Sequence, residues 1–158
     1  MRIFLLRHGE TDWNLQRRCQ GITDVDLNDR GRQQARQIAE YLSTEKINGI
    51  YSSALKRALQ TAEILRRSHG LAVTVDSDFR ELNHGAFEGL TFSDIHALYP
   101  DFLKRWRSEP AQLIIPGGER LVDVEERAWK GVGRIVQFHS SDDTVVVVSH
   151  NFPILAIL

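Results

Sequence analysis

The amino-acid sequence predicts an α/β fold in which a mostly parallel sheet is covered by helices on both faces. Short apolar segments alternate along the chain with longer segments whose apolar residues recur every three or four positions, as in amphipathic helices. Two of the apolar segments, residues 3–6 and 145–148, contain no polar residue. Uninterrupted apolar strands of this kind are typical of parallel sheets that are buried on both faces.

The first half of the chain is predicted to contain two strand and helix units. The strand over residues 3–6 leads into a polar loop, residues 11–28, after which Asn28 or Asp29 can cap a helix. The buried face of that helix follows the i, i+3, i+4, i+7 spacing and comprises Ala35, Ile38, Ala39 and Leu42. A short second strand, residues 50–51, precedes a helix whose apolar stripe comprises Leu55, Ala58, Leu59 and Ala62.

The second half is predicted to add two strands and the remaining helices. Residues 71–75 alternate apolar with polar or small side chains and predict a third strand. A capping box at Thr91 predicts a short helix that Pro100 ends or kinks, and residues 102–107 predict one or two further helical turns. A long helix is expected to carry inward Ala128, Trp129, Val132, Ile135 and Val136. The last strand, residues 144–148, has the strongest strand pattern in the chain.

Length and composition fit a single domain over residues 1–158 that needs no disulfide or structural metal to fold. Twenty Lys and Arg residues oppose 21 Asp and Glu residues, so a net charge of −1 provides no basic field for nucleic acid or an anionic membrane. The single cysteine, Cys19, suits a reducing compartment. No signal peptide or membrane-spanning run is evident. We expect a cytoplasmic protein with no nucleic-acid or membrane partner.

Polar side chains follow three of the predicted strands at their carboxyl ends. The pairs are Arg7-His8 after the first strand, Ser52-Ser53 after the second and Ser149-His150 after the last. Arg57 lies shortly after the second pair. Since ligands of open α/β sheets bind in the crevice outside the carboxyl ends of the strands, we expect these side chains to meet there.

The chemistry of this set suits a phosphoryl group. Arg7 and Arg57 offer guanidinium forks that match phosphate oxygens, and several donors can share those oxygens. A neutral imidazole can attack phosphorus and divide one difficult displacement into two easier steps. Neighbouring arginines favour the neutral form because they lower the pKa of a histidine. His8 is therefore the candidate nucleophile, although a lone histidine at a strand end would more often be structural.

Stretches along nearly the whole chain resemble the motifs of the histidine phosphatase, or phosphoglycerate mutase-like, superfamily, and they occur in the order of that family. The stretches are residues 6–14 (LRHGETDWN), 26–31 (DLNDRG), 52–62 (SSALKRALQTA), 80–89 (RELNHGAFEG), 116–119 (PGGE) and 148–150 (VSH). The first motif alone is suggestive, whereas the set together is highly specific.

The resemblance implies roles for eight residues of this sequence. The expected catalytic group is His8, Arg7, Arg57, His150 and Glu81. In that group His8 becomes phosphorylated, the arginines and His150 hold the phosphoryl oxygens, and Glu81 protonates the leaving group. The expected substrate contacts are Asn14, Gln20 and Gly21. No metal or organic cofactor is expected, and the six histidines show no pair at the close spacing of a metal-binding helix.

The family's fold is a three-layer α/β/α sandwich with a mostly parallel central sheet, and the resemblance implies a lid-like insertion at about residues 82–117. The implied activity is that of a phosphomonoesterase that hydrolyses a small phosphorylated metabolite through a phosphohistidine. Phosphoglycerate mutase activity is the main alternative, but it usually goes with a longer insertion between the acid and the second histidine. The phosphatases resembled, about equally, are α-ribazole phosphatase and broad-specificity members. A homodimer is left open.

Two features depart from the family pattern. Asn151-Phe152 follow His150 where small residues are usual; Asn tolerates a left-handed backbone, and Phe152 can line the pocket. The chain also stops at Leu158, inside an apolar helix, whereas relatives usually continue for a further helix and strand. From the early stop we expect a C-terminally truncated or shortened form. It also raises a third hypothesis, a catalytically impaired module that binds phospholigands.

Overall fold

Four parallel strands form the central sheet of the computed structural model, which describes residues 1–158. In spatial order they are β1 (Arg2–Arg7), β4 (Thr144–Ser149), β2 (Gly49–Ser52) and β3 (Val73–Val75). The register pairs Arg7 with Ser149 and Ser52 with Val148, so the carboxyl ends of β1, β4 and β2 lie at the same end of the sheet. The predicted parallel sheet is confirmed.

Seven helices surround this sheet. They are α1 (Asp12–Leu15), α2 (Asp29–Leu42), α3 (Lys56–Arg66), α4 (Phe92–Leu98), α5 (Pro100–Ser108), α6 (Leu121–Phe138) and α7 (Asn151–Ile157). The predicted caps form: Asn28 accepts a hydrogen bond from Gly31 N, and Thr91 makes a reciprocal capping box with Asp94. Pro100 begins α5 at its first turn, where its missing N–H costs nothing.

The helices cover both faces of the sheet, which makes three layers. On one face α2 and α3 pack against β2 and β4 around Leu42, Leu65 and Val146. On the other face α6 and α7 pack against the same sheet around Ile135, with Phe79, Val145 and Val147 in the same cluster. The α/β/α sandwich expected from the sequence is therefore confirmed.

At the carboxyl ends of β1 and β4, the chain turns to opposite faces of the sheet. After β1 it passes to the face that carries α2, whereas after β4 it passes to the face that carries α7. Such a topological switch opens a crevice between the two strand ends, and ligands of open α/β sheets bind in crevices of this kind. His8 and His150, the first residues beyond these strands, stand on either side of it.

A third apolar cluster lies apart from the sheet, between α4, α5 and the start of α6. Its buried members are Leu82, Phe87, Ile95, Ile115 and Val124. The aromatic residues Phe102 and Trp106 of α5 and Phe152 of α7 pack against it. This cluster attaches the segment between β3 and α6 to the end of the sheet that carries the strand ends.

The prediction that Trp129 and Val136 of the long helix point inward is wrong. Trp129 and Val136 are half exposed, whereas Ala128, Val132 and Ile135 are buried as expected. Trp129 instead donates from Nε1 to the carbonyl oxygen of Ala156 in α7. None of the seven helices combines the length and apolar character that crossing a bilayer requires.

Two glycines in α6 offer a matched test of packing. A Cβ atom at Gly131 would lie 2.7 Å from Cζ of the fully buried Phe79, whereas one at Gly133 would meet nothing within 4 Å. We expect Gly131→Ala to lower the free energy of unfolding by about 1–3 kcal/mol through overpacking. Gly133→Ala should raise it by about 0.5–1 kcal/mol, because alanine loses less backbone entropy in a helix. Urea denaturation of both variants checks this, and shifts of the same sign would contradict it.

Candidate active site

A cavity of about 290 Å³ opens at the crevice between the ends of β1 and β4. Seven of the eight site residues expected from the sequence line it; they are Arg7, His8, Asn14, Gln20, Gly21, Arg57 and Glu81. His150, which is fully buried, is not among the lining residues. The structure therefore brings these seven residues together although the first and last of them, Arg7 and Glu81, are 74 positions apart in the sequence.

The His8 ring is buried and its two nitrogens have different surroundings. Nδ1 lies 2.7 Å from the carbonyl oxygen of Gly9, so this nitrogen carries the proton and donates it. Nε2 then accepts a hydrogen bond from Arg57 Nε at 3.3 Å. Burial lowers the pKa of His8 to about 3, with the charges of Arg57 and Arg7 acting in the same direction and the Gly9 hydrogen bond opposing them. His8 is thus neutral, with its lone pair on Nε2.

Arg57 is fully buried in the first turn of α3 and is held on three sides. Its Nη2 donates to the carbonyl oxygen of Gly21 at 2.7 Å and its Nη1 to that of Thr23 at 3.0 Å. The guanidinium therefore has a fixed orientation, with Nε–H directed at His8 Nε2. The sequence analysis expected the Arg57 guanidinium to be free for phosphate, but backbone carbonyls already accept hydrogen bonds from part of it.

The remaining donors around the cavity are available to an anion. Arg7 is exposed, and its guanidinium makes no hydrogen bond to the protein. Asn14 and Gln20 both turn their amide oxygens toward Thr11, at 3.1 and 2.9 Å, which leaves their NH₂ groups as donors. With Arg57, Arg18 and Asn151, three arginines and three amide side chains line the cavity.

Glu88 fixes the conformation of the loop after α1, beside this cavity. Its carboxylate accepts hydrogen bonds from the backbone N–H groups of Ile22 and Thr23, both at 2.8 Å. Gly21 has a φ of +53°, and a Cβ atom there would lie 2.0 Å from Glu88 Oε1. Only glycine fits between this carboxylate and Arg57, so the loop conformation fixes two walls of the cavity at once.

His150 supports the cavity from behind. Its Nε2 lies 2.8 Å from Ser53 Oγ, and its ring centroid lies 5.1 Å from that of His8. Its Nδ1 is buried without a hydrogen-bond partner. Burial and the charge of Arg57 lower the pKa of His150 well below its ordinary value, so this ring is also neutral.

The carboxylate of Glu81 lies beside the N-terminus of α7. Its carboxylate accepts hydrogen bonds from three backbone N–H groups, those of Leu82 at 2.9 Å and of Asn151 and Phe152 at 3.1 Å. Burial nevertheless raises the pKa of Glu81, because the loss of hydration of the carboxylate outweighs these hydrogen bonds and the charge of Arg57. A carboxyl group with a raised pKa and a neutral imidazole thus line the same cavity, and such a pair suits the roles of acid and nucleophile.

The segment that carries Glu81 is fixed by a buried ion pair that the sequence did not reveal. Arg127 in α6 donates to the carbonyl oxygens of Asp78 at 2.8 Å and of Glu81 at 2.9 Å. It also pairs with Glu119 at 3.2 Å, and Glu119 accepts a hydrogen bond from Asn83 N at 2.9 Å. Glu119 belongs to the PGGE motif, which was the only sequence signal for this arrangement; nothing distinguished Arg127 from the solvated arginines of other helices.

Three more residues line the cavity without having been assigned to it from the sequence: Arg18, Cys19 and Asn151. Glu88, which holds the loop, was likewise unassigned although it belongs to the RELNHGAFEG motif. His84 and Phe152, for which contact with the pocket was one alternative, do line it. No group of three or more His, Cys, Asp or Glu side chains is placed so as to hold a metal ion.

The neutral state of His8 can be tested by NMR titration of its ring nitrogens. We expect the shifts of the tautomer protonated on Nδ1 to persist from about pH 8 to about pH 4.5, whereas a histidine in a flexible peptide takes up a proton near pH 6.5.

Because the lowered pKa means that the unfolded chain binds this proton first, the contribution of His8 to stability is present above about pH 6.5 and is lost as the pH falls toward 3. A titration of His8 near pH 6.5 would contradict the assignment.

The buried ion pair of Arg127 has a matched control in the same helix. Arg127→Met leaves Glu119 and several buried carbonyls without their partner, and should lower the free energy of unfolding by about 3–5 kcal/mol. Arg134 also pairs with carboxylates, those of Asp76 and Asp78, but its side chain is 51% exposed. Arg134→Met should therefore cost about 1 kcal/mol or less. Equal losses in chemical denaturation would show that Arg127 has no special structural role.

Comparison with known proteins agrees with the resemblance seen in the sequence. The family model of the histidine phosphatase superfamily (branch 1) matches residues 3–158. Phosphoglycerate mutase-like protein 4 of Arabidopsis thaliana is 43% identical over 94% of this chain and 65% of its own length. Phosphoserine phosphatase 1 of Hydrogenobacter thermophilus is 38% identical over 99% of this chain and 74% of its own length.

A solved structure shares the fold. The structure of a mycobacterial glucosyl-3-phosphoglycerate phosphatase with VO3 superimposes with a TM-score of 0.89 and 38% identity, covering 97% of this chain and 76% of that one. The chain thus spans about two-thirds to three-quarters of the length of these relatives. With the family match covering almost every residue, this chain belongs to the histidine phosphatase superfamily.

Proposed function

We propose that this protein is a phosphomonoesterase that hydrolyses a small phosphorylated metabolite through a phosphohistidine on His8. The observation that carries the proposal is the state of the His8 ring: it is neutral, its proton is fixed on Nδ1 by Gly9, and Nε2 faces Arg57 inside a cationic cavity. A neutral imidazole nitrogen is a nucleophile, and the cationic donors around it favour the charge of a phosphoryl group.

In the first step the hydrogen bond from Arg57 Nε to His8 Nε2 is released, the lone pair of Nε2 attacks phosphorus, and the bond between phosphorus and the alcohol oxygen breaks. Glu81 gives its proton to that oxygen, so a neutral alcohol leaves and Glu81 becomes a carboxylate. Arg7, the free amide groups of Asn14 and Gln20, and the remaining N–H groups of Arg57 bind the phosphoryl oxygens as charge spreads over them. The raised pKa of Glu81 suits this role because burial favours the protonated form of the carboxyl group, which is the form that an acid needs.

In the second step water attacks the phosphohistidine and the bond between nitrogen and phosphorus breaks. The Glu81 carboxylate takes a proton from the attacking water, which restores the acid. Inorganic phosphate leaves, and His8 returns to its neutral form. His150 lies at a ring separation of 5.1 Å from His8, and its role in this scheme is to support the His8 ring. No step in this scheme requires a metal ion.

The similar proteins favour hydrolysis over phosphoryl transfer between substrates. Two of the three compared relatives are named as phosphatases, for phosphoserine and for glucosyl-3-phosphoglycerate. The rival is mutase-type transfer, favoured by the name of the plant relative. The short interval from Glu81 to His150 supports the phosphatase, since mutases of the family usually carry a longer insertion there.

The lid-like role of residues 82–117 and the cytoplasmic location are part of this proposal. Helices α4 and α5 lie within that segment, and their aromatic residues pack against Phe152 at the rim of the cavity. The single, partly buried Cys19 is compatible with a reducing compartment. A homodimer stays open, and light scattering of the purified protein would decide it.

Phosphate release from p-nitrophenyl phosphate tests the proposal. We expect turnover, a transient phosphorylated protein that is labile in acid, and a loss of at least about a thousandfold in kcat for His8→Asn, because the covalent route needs this nitrogen. His96→Asn, which changes an exposed histidine on α4, is the matched control and should retain activity. EDTA should have no effect.

The alternatives give different results in the same assays. Exchange between phosphoglycerate isomers, primed by bisphosphoglycerate and faster than phosphate release, would favour the mutase. Tight binding of inorganic phosphate without turnover of any phosphate ester would favour the phospholigand-binding module. Activity that depends on an added metal ion would falsify the mechanism.

A further inference from the structure

A second cavity, of about 170 Å³, adjoins the candidate active site. Eleven residues line it and ten of them are hydrophobic, so it differs sharply from the polar cavity beside it. Three residues line both cavities: Cys19, His84 and Phe152. The two cavities are therefore neighbours, and these side chains stand between them.

The apolar cavity lies on the side of the site where the alcohol leaves. Glu81, which gives its proton to the leaving oxygen in the proposed reaction, accepts a hydrogen bond from the backbone N–H of Phe152. The carbon skeleton attached to that oxygen consequently lies next to Phe152. Because Phe152 lines both cavities, the apolar cavity is the space next to that skeleton.

Aromatic rings in contact with one another build the wall of this cavity. Phe87 and Phe102 have ring centroids 4.9 Å apart, Phe102 and Trp106 are stacked at 5.6 Å, and Trp106 meets Phe152 edge-on at 6.5 Å. Aromatic pairs at these separations add stabilisation beyond that of simple area burial. The wall is consequently preformed, and a ligand does not have to order it.

The size and the apolar lining of the cavity limit what it can hold. Apolar cavities of about 150 Å³ in protein cores accommodate a benzene ring, so this one suits a six-membered ring or a branched group of similar size. His84 Nε2 is buried without a hydrogen-bond partner at the junction of the two cavities. One polar atom of the ligand near the phosphate could pair with it, whereas a strongly polar skeleton would find no further partners.

We infer that the substrate is a phosphate monoester whose alcohol carries a six-membered ring or a branched apolar group, and that this group occupies the apolar cavity beside Phe152 and Trp106. This inference rests on the proposed function and names the class of alcohol that leaves. Phe152 stands where the family usually has a small residue, so this side of the cavity is a property of this chain. The compared phosphatases, by their names, act on more polar compounds.

Competition between primary alkyl phosphates tests the inference. Ethyl phosphate, phosphoserine and benzyl phosphate all release primary alcohols, so differences among them report on the alcohol's binding more than on its intrinsic reactivity. We expect kcat/KM for benzyl phosphate to exceed that for ethyl phosphate by at least about tenfold, and phosphoserine not to exceed ethyl phosphate. A ratio near one between benzyl and ethyl phosphate overturns the inference.

Two variants locate the effect. Trp106→Ala removes part of the aromatic wall, and Leu103→Phe fills the cavity from α5; each should reduce the benzyl to ethyl ratio by about tenfold. The ratio does not depend on how much of a variant is folded, so a loss of stability cannot imitate the result. Phe138→Ala, which removes an exposed ring at the end of α6, should leave the ratio unchanged. A ratio unaffected by both cavity variants shows that the cavity is only a packing void.

Binding of phosphonates separates this inference from the proposed function. If no phosphate ester is turned over, the proposed function fails, but benzylphosphonate should still bind at least about tenfold more tightly than ethylphosphonate in calorimetry if the subsite exists. Turnover without any apolar preference leaves the proposed function intact and overturns the subsite.

Discussion

The buried contact between Arg57 Nε and His8 Nε2 is the interaction on which the rest of the site depends. It joins the first turn of α3 to the end of β1, and both partners are buried. A buried guanidinium is tolerated only when its donors are satisfied, and two backbone carbonyls of the loop near Gly21 satisfy them. The loop, the helix and the strand end therefore hold one another in place, and the neutral state of His8 follows from the same burial and charge.

A second, similar arrangement holds Glu81, the proposed acid. Glu81 lies between the start of α7, whose backbone N–H groups it binds, and the Arg127–Glu119 pair, which holds its main chain from α6. Two buried arginines thus perform parallel tasks: each orders an irregular segment through backbone carbonyls, and each places one reactive group at the edge of the sheet. The topological switch between β1 and β4 supplies the space in which these groups face each other.

The segment between β3 and α6 serves a different purpose from the sheet. It contributes little to the two sheet-facing cores and instead builds an aromatic cluster of its own, joined to the active-site rim by Phe152 and His84. In the proposed reaction the nucleophile His8 follows a strand end, whereas this segment supplies both the acid Glu81 and the apolar cavity assigned to the alcohol. Changes in its aromatic residues can therefore alter substrate choice while the phosphate-binding residues stay the same.

The sequence by itself determined the α/β class, the helices with a clear apolar period, and the residues at the strand ends, because periodicity and strand-end position are local properties. The resemblance to the family added Glu81, which has no local signal. Only the tertiary structure decided that His150 lies behind His8 rather than in the cavity, that the fork of Arg57 is bound to the loop, and that Arg127 fixes the acid. Each of these depends on contacts between segments that are distant in sequence, and burial, which sets the pKa of His8 and Glu81, exists only once those segments have packed together.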